Sequence, residues 1–417
     1  MKPGSASRWS IRWQSRPAAG ITAVLVILGA GCAASRQAGA GHGPASPASS
    51  PAVTGVWSAP AGGAMSLWAV AALGEPDAWA VGKHSPLPEG TYPLTEHWDG
   101  KRWSAVPCPS PGSAAEPTRS SLKAVSIDAP DDAWAVGSWS PIEHDAPSYA
   151  LIEHWNGSKW NLVPVPRSHG FTGLTAVAAM SPTAAWAIGY GDANGRAITA
   201  FMGWDGTRWQ SLPSPVGTDL TGLAVISAHD IWVVGSKGMA KYRTVAEHWD
   251  GSKWTIVPMP NAFKGRTRNS VLYAVSGSAS NNVWAVGWYQ SGPTGVDHST
   301  LVEHWDGTRW RVQPSPDGPR SGADSQLFAV AALSRTTAWA AGTNEGPVPL
   351  IERWNDAHWK AIPGRLQPRV AYPSIYEVAV VDPRYAWLIV QVDQGSVIER
   401  WDGTSWQESY RARAPKP

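Results

Sequence analysis

Residues 122–137 read LKAVSIDAPDDAWAVG, and after a loop residues 150–166 read ALIEHWNGSKWNLVPVP. Leu122 to Ile127 is a short apolar run, Ala129-Pro130-Asp131 is a turn signal, and Ala133 to Val136 is a second run ended by Gly137. Ala150 to Trp155 reads as a third strand, Asn156-Gly157 as a tight hairpin turn and Trp160 to Val163 as a fourth strand. Two intervals in this passage recur along the chain. Leu or Ile precedes a Trp by twelve residues at Leu67/Trp79, Leu122/Trp134, Leu174/Trp186, Leu220/Trp232, Leu272/Trp284, Leu327/Trp339 and Ile375/Trp387. Trp follows Trp five residues later at Trp98/Trp103, Trp155/Trp160, Trp204/Trp209, Trp249/Trp254, Trp305/Trp310, Trp354/Trp359 and Trp401/Trp406. A period of about fifty residues with constant internal spacings means repeated copies of one supersecondary unit.

Four short antiparallel strands per copy, with no helical periodicity, predict an all-β seven-bladed β-propeller with repeats starting near 67, 122, 174, 220, 272, 327 and 375. The fourth strand ends in Pro-x-Pro in the first five copies, at Pro107/Pro109, Pro164/Pro166, Pro213/Pro215, Pro258/Pro260 and Pro314/Pro316. Proline has no amide donor and belongs at a sheet edge, so this strand is the outer one. Of the 27 Trp, 24 fall between residues 67 and 410, mostly at the recurring positions, which reads as core packing. One buried indole hides about 150–250 Å².

The units resemble kelch repeats, which also run from an apolar inner strand through a second strand ending in Gly to a third ending in an aromatic. The resemblance covers about residues 67–410 and implies propeller architecture. Kelch repeats carry a Gly-Gly doublet where this chain has the single Gly82, Gly137, Gly189, Gly235, Gly287 and Gly342. Trp98-Asp99 and Trp249-Asp250 resemble WD-type propellers, without the Gly-His element of those repeats. Copy seven departs most, with Leu388-Ile389-Val390 for Ala-Val-Gly and Ser409-Tyr410 for the proline edge. Upstream, Val56 to Pro60 resembles a lone fourth strand and is expected beside copy seven at the ring seam.

The N-terminus reads as an export signal over residues 1–31. Lys2, Arg8, Arg12 and Arg16 precede an uncharged, mainly apolar stretch from Pro17 to Gly31 that ends at Cys32. It is too short for a comfortable membrane span. Small residues before Cys32 resemble the lipobox of bacterial lipoproteins, which implies lipidation of Cys32; Gly29 departs from the Leu commonest in that motif. Residues 32–53 read as a disordered tether, 54–410 as the propeller and 411–417 as a disordered tail. The expected location is the outer face of the cytoplasmic membrane, held by the lipid alone, with secretion the alternative. Cys108 then has no disulfide partner.

Charged residues are 16% of the chain and the net charge is +2, which argues against a nucleic-acid partner. The interval between strands two and three runs from 14 residues (Trp387 to Trp401) to 21 (Trp134 to Trp155), and the links between copies run from 11 (Trp209 to Leu220) to 19 (Trp103 to Leu122). Both variable loops emerge on one face of the ring, the expected working face. There, Lys264, Arg266 and Arg268 lie in sequence near Trp288 and Tyr289, a combination suited to an anionic glycan or acidic partner. The residue after the first Leu or Ile of each copy is Trp68, Lys123, Thr175, Thr221, Tyr273, Phe328 or Tyr376. Of these, Trp68, Tyr273, Phe328 and Tyr376 offer faces for a sugar ring near the channel mouth. Glu143-His144-Asp145 and the Asp192 to Gly195 stretch are poor metal sites by spacing, and neither a metal nor a cofactor is expected. Glu-His recurs before Trp98, Trp155, Trp249 and Trp305; equivalent positions spread around a ring cannot converge on one substrate atom, so hydrogen bonding between blades is expected. No catalytic residue stands out. The sequence points to a non-catalytic binding module for a protein or glycan of the cell envelope, with a glycan-active hydrolase or lyase as the alternative.

Overall fold

A computed structural model describes residues 56–57, 63–86, 90–112, 118–143, 146–166, 170–192, 197–216, 219–238, 241–260, 269–290, 298–317, 324–344, 348–365, 373–392 and 395–413. Seven four-stranded antiparallel sheets follow one another, each built from consecutive strands. The blades span Ala64–Ala105, Thr118–Leu162, Phe171–Ser211, Asp219–Val257, Ser270–Gln313, Gln326–Ala361 and Ser374–Arg413. The first strands of neighbouring blades touch in a closed cycle, that of blade seven meeting that of blade one, so they surround the central axis. The seven-bladed propeller is therefore the fold. Its last strand, Trp406–Arg413, continues three residues into the expected tail.

The core is a set of seams rather than one interior. Seven apolar clusters occur, each drawing its residues from two adjacent blades. The strand-two Trp of one blade inserts into the Trp pair of the next. Trp79 lies 4.8 Å from Trp155 and 5.0 Å, edge-on, from Trp160. Trp134, Trp232, Trp284 and Trp339 repeat the arrangement, and Trp387 closes the ring against Trp98 and Trp103. In these edge-on pairs an indole edge faces a π surface, a favoured aromatic geometry. Blade three is the exception. Phe201 packs against Trp249 and Trp254 of blade four, while Trp186 lies over Gly203, where blades one, two, four and five carry His and blades six and seven Arg.

Among the described residues ring closure uses no exchanged strand, since blades one and seven are each built from their own four consecutive strands. Leu67 of blade one donates its N–H to Ser396 Oγ at 2.9 Å, Tyr410 donates to Glu96 at 2.8 Å and Trp103 Nε1 lies 3.2 Å from Ser409 Oγ. The departures in copy seven thus supply the seam. Val56–Trp57 corrects an expectation: it pairs antiparallel with Cys108–Pro109 just after blade one, not beside blade seven. Cys108 lies between two prolines with an amide of its own, which gives a short strand something to pair with.

Candidate functional site

Each inner strand carries a β-bulge at the same place. Leu67 pairs with Gly82 and Ala69 with Val81, leaving Trp68 unpaired. Lys123, Thr175, Thr221, Tyr273, Phe328 and Tyr376 are bulged in the same way. In six blades a Gly stands opposite and permits close approach, since a Cβ at Gly82 would sit 1.9 Å from the Ser66 carbonyl oxygen and one at Gly287 1.9 Å from that of Val271; blade seven carries Val390 there. A bulge redirects its extra side chain. Here the seven bulged residues make a girdle of equivalent positions on the strands that surround the axis.

The girdle is continuous across several blades. Tyr273 and Phe328 ring centres are 5.3 Å apart, and Phe328 and Tyr376 5.6 Å. Lys123 Nζ stands 3.1 Å from the centre of the Trp68 ring. Thr221 Oγ1 donates to the Tyr273 carbonyl at 3.1 Å and Thr175 Oγ1 to that of Ile188 at 3.4 Å, so both threonines are tied to backbone. Aromatics consequently occupy blades five, six, seven and one in succession, and Lys123 of blade two caps the series.

A second tier comes from the residue after the strand-two Gly. In blade one Lys83 Nζ stands 5.4 Å from the Trp68 ring centre; in blade five Trp288 Nε1 donates to the Tyr273 hydroxyl at 3.0 Å. Beyond Trp288 the structure places a polar group that occurs once. Trp288 meets the His298 ring at 4.1 Å, His298 Nδ1 is 2.6 Å from Asp324 Oδ1, and Gln326 Nε2 is 3.4 Å from the same oxygen. With Nδ1 donating to Asp324, the neutral imidazole keeps Nε2 as an acceptor. Burial raises the Tyr273 phenol above its usual value, so it is a neutral hydroxyl at physiological pH.

Of the residues expected from sequence, Trp68, Tyr273, Phe328 and Tyr376 share the girdle and Trp288 joins it. Tyr289 does not. Strand alternation turns it to the other face, against the cluster between blades four and five. Lys264, Arg266, Arg268 and Cys32 lie outside the described residues, as do His144, Asp145 and residues 193–195. Lys83, His298, Asp324 and Gln326 were not expected. The available signal was the position after Gly for Lys83, and for His298 its standing outside every Glu-His-Trp triplet. Among the described residues, no group of three or more His, Cys, Asp or Glu side chains is arranged to hold a metal.

The Glu-His-Trp repeat is structural and divides its labour. His97, His154, His248 and His304 bond Asp77, Asp132, Asp230 and Asn282 within their own blades, at 2.9, 2.5, 2.8 and 2.9 Å. His97, for one, also lies against Trp79, at 4.5 Å. In blades one, two and five the following Trp donates its N–H to a turn carbonyl, as Trp98 does to Glu75 at 2.8 Å. Where a hydrogen bond of the buried Glu is seen, it runs to the preceding blade or its connection: Val216 N–H donates to Glu247 at 3.0 Å, Ser315 Oγ to Glu352 at 2.8 Å and the Tyr410 hydroxyl to Glu96 at 2.8 Å, whereas the Glu153 and Glu303 carboxyl oxygens have no hydrogen-bond partner among the described residues. The expected bonding between blades is thus carried by Glu in blades one, four and six, while His acts within the blade. Burial pushes Glu96 up to about 7 and Glu303 and Glu352 to about 8. Burial also raises the Cys108 thiol well above its ordinary range, which keeps it protonated.

No protein-family model matches the chain, and neither does any curated protein. Solved β-propellers do. The propeller domain of the Trilobed protease from Pyrococcus furiosus, which has an open velcro topology, is 9% identical with a TM-score of 0.52, over 85% of this chain and 100% of that one. Chaetomium thermophilum Sqt1 bound to the N-terminus of a ribosomal protein is 12% identical with a TM-score of 0.50, over 84% and 88%. A six-bladed fucose-recognising lectin from Aleuria aurantia is 12% identical with a TM-score of 0.43, over 85% and 99%. At such identities the first two speak for the fold alone, and the lectin superposes too loosely to carry an argument about ligand.

Proposed function

We propose that this chain is a non-catalytic glycan-binding propeller, exported and held at the outer face of the membrane by lipid on Cys32. The observation that supports glycan binding is the arc Tyr273–Phe328–Tyr376, with ring centres 5.3 and 5.6 Å apart, bordered by Trp288, His298, Asp324 and Gln326. The apolar faces of a sugar ring suit aromatic platforms, and a few polar groups at one edge fix orientation. The arc is built on paired inner strands, a rigid support. A kelch-like ancestry of the blades and the signal peptide belong to the same reading and rest on the sequence motifs. A protein ligand on the variable loops is the variant of this proposal that would leave the girdle unused.

The test is binding of the full chain to a glycan panel, with Tyr273→Ala and Phe328→Ala compared against the parent. Each variant should lose at least about tenfold in affinity, about 1.4 kcal/mol, while keeping its circular dichroism spectrum. Full retention of affinity in both variants removes the arc from the site. The second reading, a hydrolase or lyase, draws on one feature: Asp324 orients His298 as a general base would be oriented. It requires glycan turnover that His298→Ala abolishes; any such turnover ends the non-catalytic proposal.

A further inference from the structure

The girdle is chemically lopsided. Going round the ring from blade five to blade two, the bulged residues are Tyr273, Phe328, Tyr376, Trp68 and Lys123, then Thr175 and Thr221 in blades three and four. The aromatic arc therefore ends on a positive charge. Lys123 lies directly on the Trp68 ring, with Nζ 3.1 Å from its centre, and Lys83 Nζ stands 5.4 Å from the same centre. Two ammonium groups are thus gathered on one indole, beside the position that follows Tyr376 around the ring. Cation–π attraction to a single ring holds both but leaves their mutual repulsion in place. Burial, and then the repulsion from Lys83, push Lys123 down to about 8. An anion arriving between them relieves both costs at once.

We propose that Lys83 and Lys123, held on Trp68, form an anion subsite that receives the carboxylate of a uronic-acid unit whose ring rests on Tyr376 and Phe328. The ligand class is then an acidic saccharide. Trp68 acts as the platform for the lysines, because Lys123 covers its face, so the sugar-stacking surface is the Tyr273–Tyr376 stretch. This inference rests on the glycan-binding reading above and adds the charge of the ligand to it. The expected basic element at residues 264–268 has no part in it.

The experiment measures binding of the full chain to glucuronate, galacturonate and mannuronate oligosaccharides, each beside its methyl ester. The ester keeps the ring and removes the charge. The expected result is that at least one free acid binds about tenfold or more tighter than its ester. Lys83→Gln should cut that ratio, and Lys83→Gln with Lys123→Met should bring it to about one while ester affinity stays within about twofold. Lys83→Gln alters a half-exposed side chain, so it remains informative should the double variant fold poorly. Equal binding of acid and ester by the parent protein overturns the anion subsite and leaves glycan binding standing. Binding of neither, in a chain that binds a neutral glycan from the wider panel, also overturns the subsite alone. Binding of no glycan at all overturns both. An acid preference that survives both lysine substitutions places the cation elsewhere and overturns this assignment.

Discussion

Six blades bury a Glu in the middle of strand three: Glu96, Glu153, Glu247, Glu303, Glu352 and Glu399 are each 1% exposed or less. Blade three has Met202 there, paired with Ala187 as Glu303 is with Ala285. The repeat is its own control, and it shows that the site accepts an apolar chain. Among the described residues neither Glu303 oxygen has a hydrogen-bond partner, and burial raises its folded value from 4.5 to about 8. The Glu303 carboxyl therefore folds neutral at acid to neutral pH. Between those two values the folded state holds a proton that the unfolded state releases. The stability tied to Glu303 is therefore fully present below pH 4.5 and is lost as pH rises through about 8. Melting curves from acid to mildly alkaline pH should show stability falling with pH, and Glu303→Gln should flatten part of that slope. An unchanged slope in the variant would refute the assignment. The same scale explains a misjudged detail. Wherever the residue two before the strand-two Trp is Asp or Asn (Asp77, Asp132, Asp230, Asn282), strand three carries His; Ala184, Thr337 and Tyr385 go with Gly203, Arg353 and Arg400. The pairing within a blade was thus present in the letters, but only as a correlation between two positions.

Among elements, the hairpin between strands three and four was the most legible. Its first residue accepts from two amides ahead of it, as Asp306 Oδ1 does from Thr308 and Arg309 at 2.9 and 3.0 Å, and Gly307 follows with φ of 94°. Such a turn needs a carboxylate or amide and then a residue tolerant of positive φ, so local chemistry alone specifies it. Blade six is the deviation: Asn355 keeps the acceptor role, while Asp356 adopts φ of 74°. Left-handed backbone costs a non-glycine residue on the order of 1 kcal/mol, less for Asp than for most. Asp356→Gly should therefore stabilise the protein by a few tenths to about 1 kcal/mol, net of the flexibility glycine adds to the unfolded chain. Chemical denaturation measures it; a loss of stability would show that the Asp side chain contributes more than the strain costs. The bulges were not legible, because the register of a strand pair is a property of both strands.

At the scale of the whole molecule, closure is concentrated in a few side chains. Ser396 Oγ accepts from Leu67 N–H at 2.9 Å and lies 3.2 Å from the Leu67 carbonyl, and Gln391 reaches the same carbonyl. Ser396→Ala strips the buried Leu67 N–H of its side-chain acceptor, a cost of about 1–3 kcal/mol, while the Leu67 carbonyl keeps Gln391. Amide hydrogen exchange in the first strand of blade one should accelerate in this variant, ahead of the strands of blade four on the far side of the ring. Uniform acceleration around the ring would mean that the seam is no weaker than the other contacts between blades. The expected placement of Val56 at this seam failed for a related reason: a strand-like pair of residues states that it will pair, not with which edge.

The repeat count, the strand order within a blade, the outer edge and the hairpin turns were determined by the chain itself, since each depends on spacing or on the chemistry of neighbouring residues. Which side chains meet was decided only by the closed ring. Bulges redirect seven inner-strand residues, closure sets the first strand of blade seven against that of blade one across more than 300 residues of sequence, and strand alternation separates Trp288 from Tyr289. Those juxtapositions arise from packing between distant segments, and no local preference encodes them.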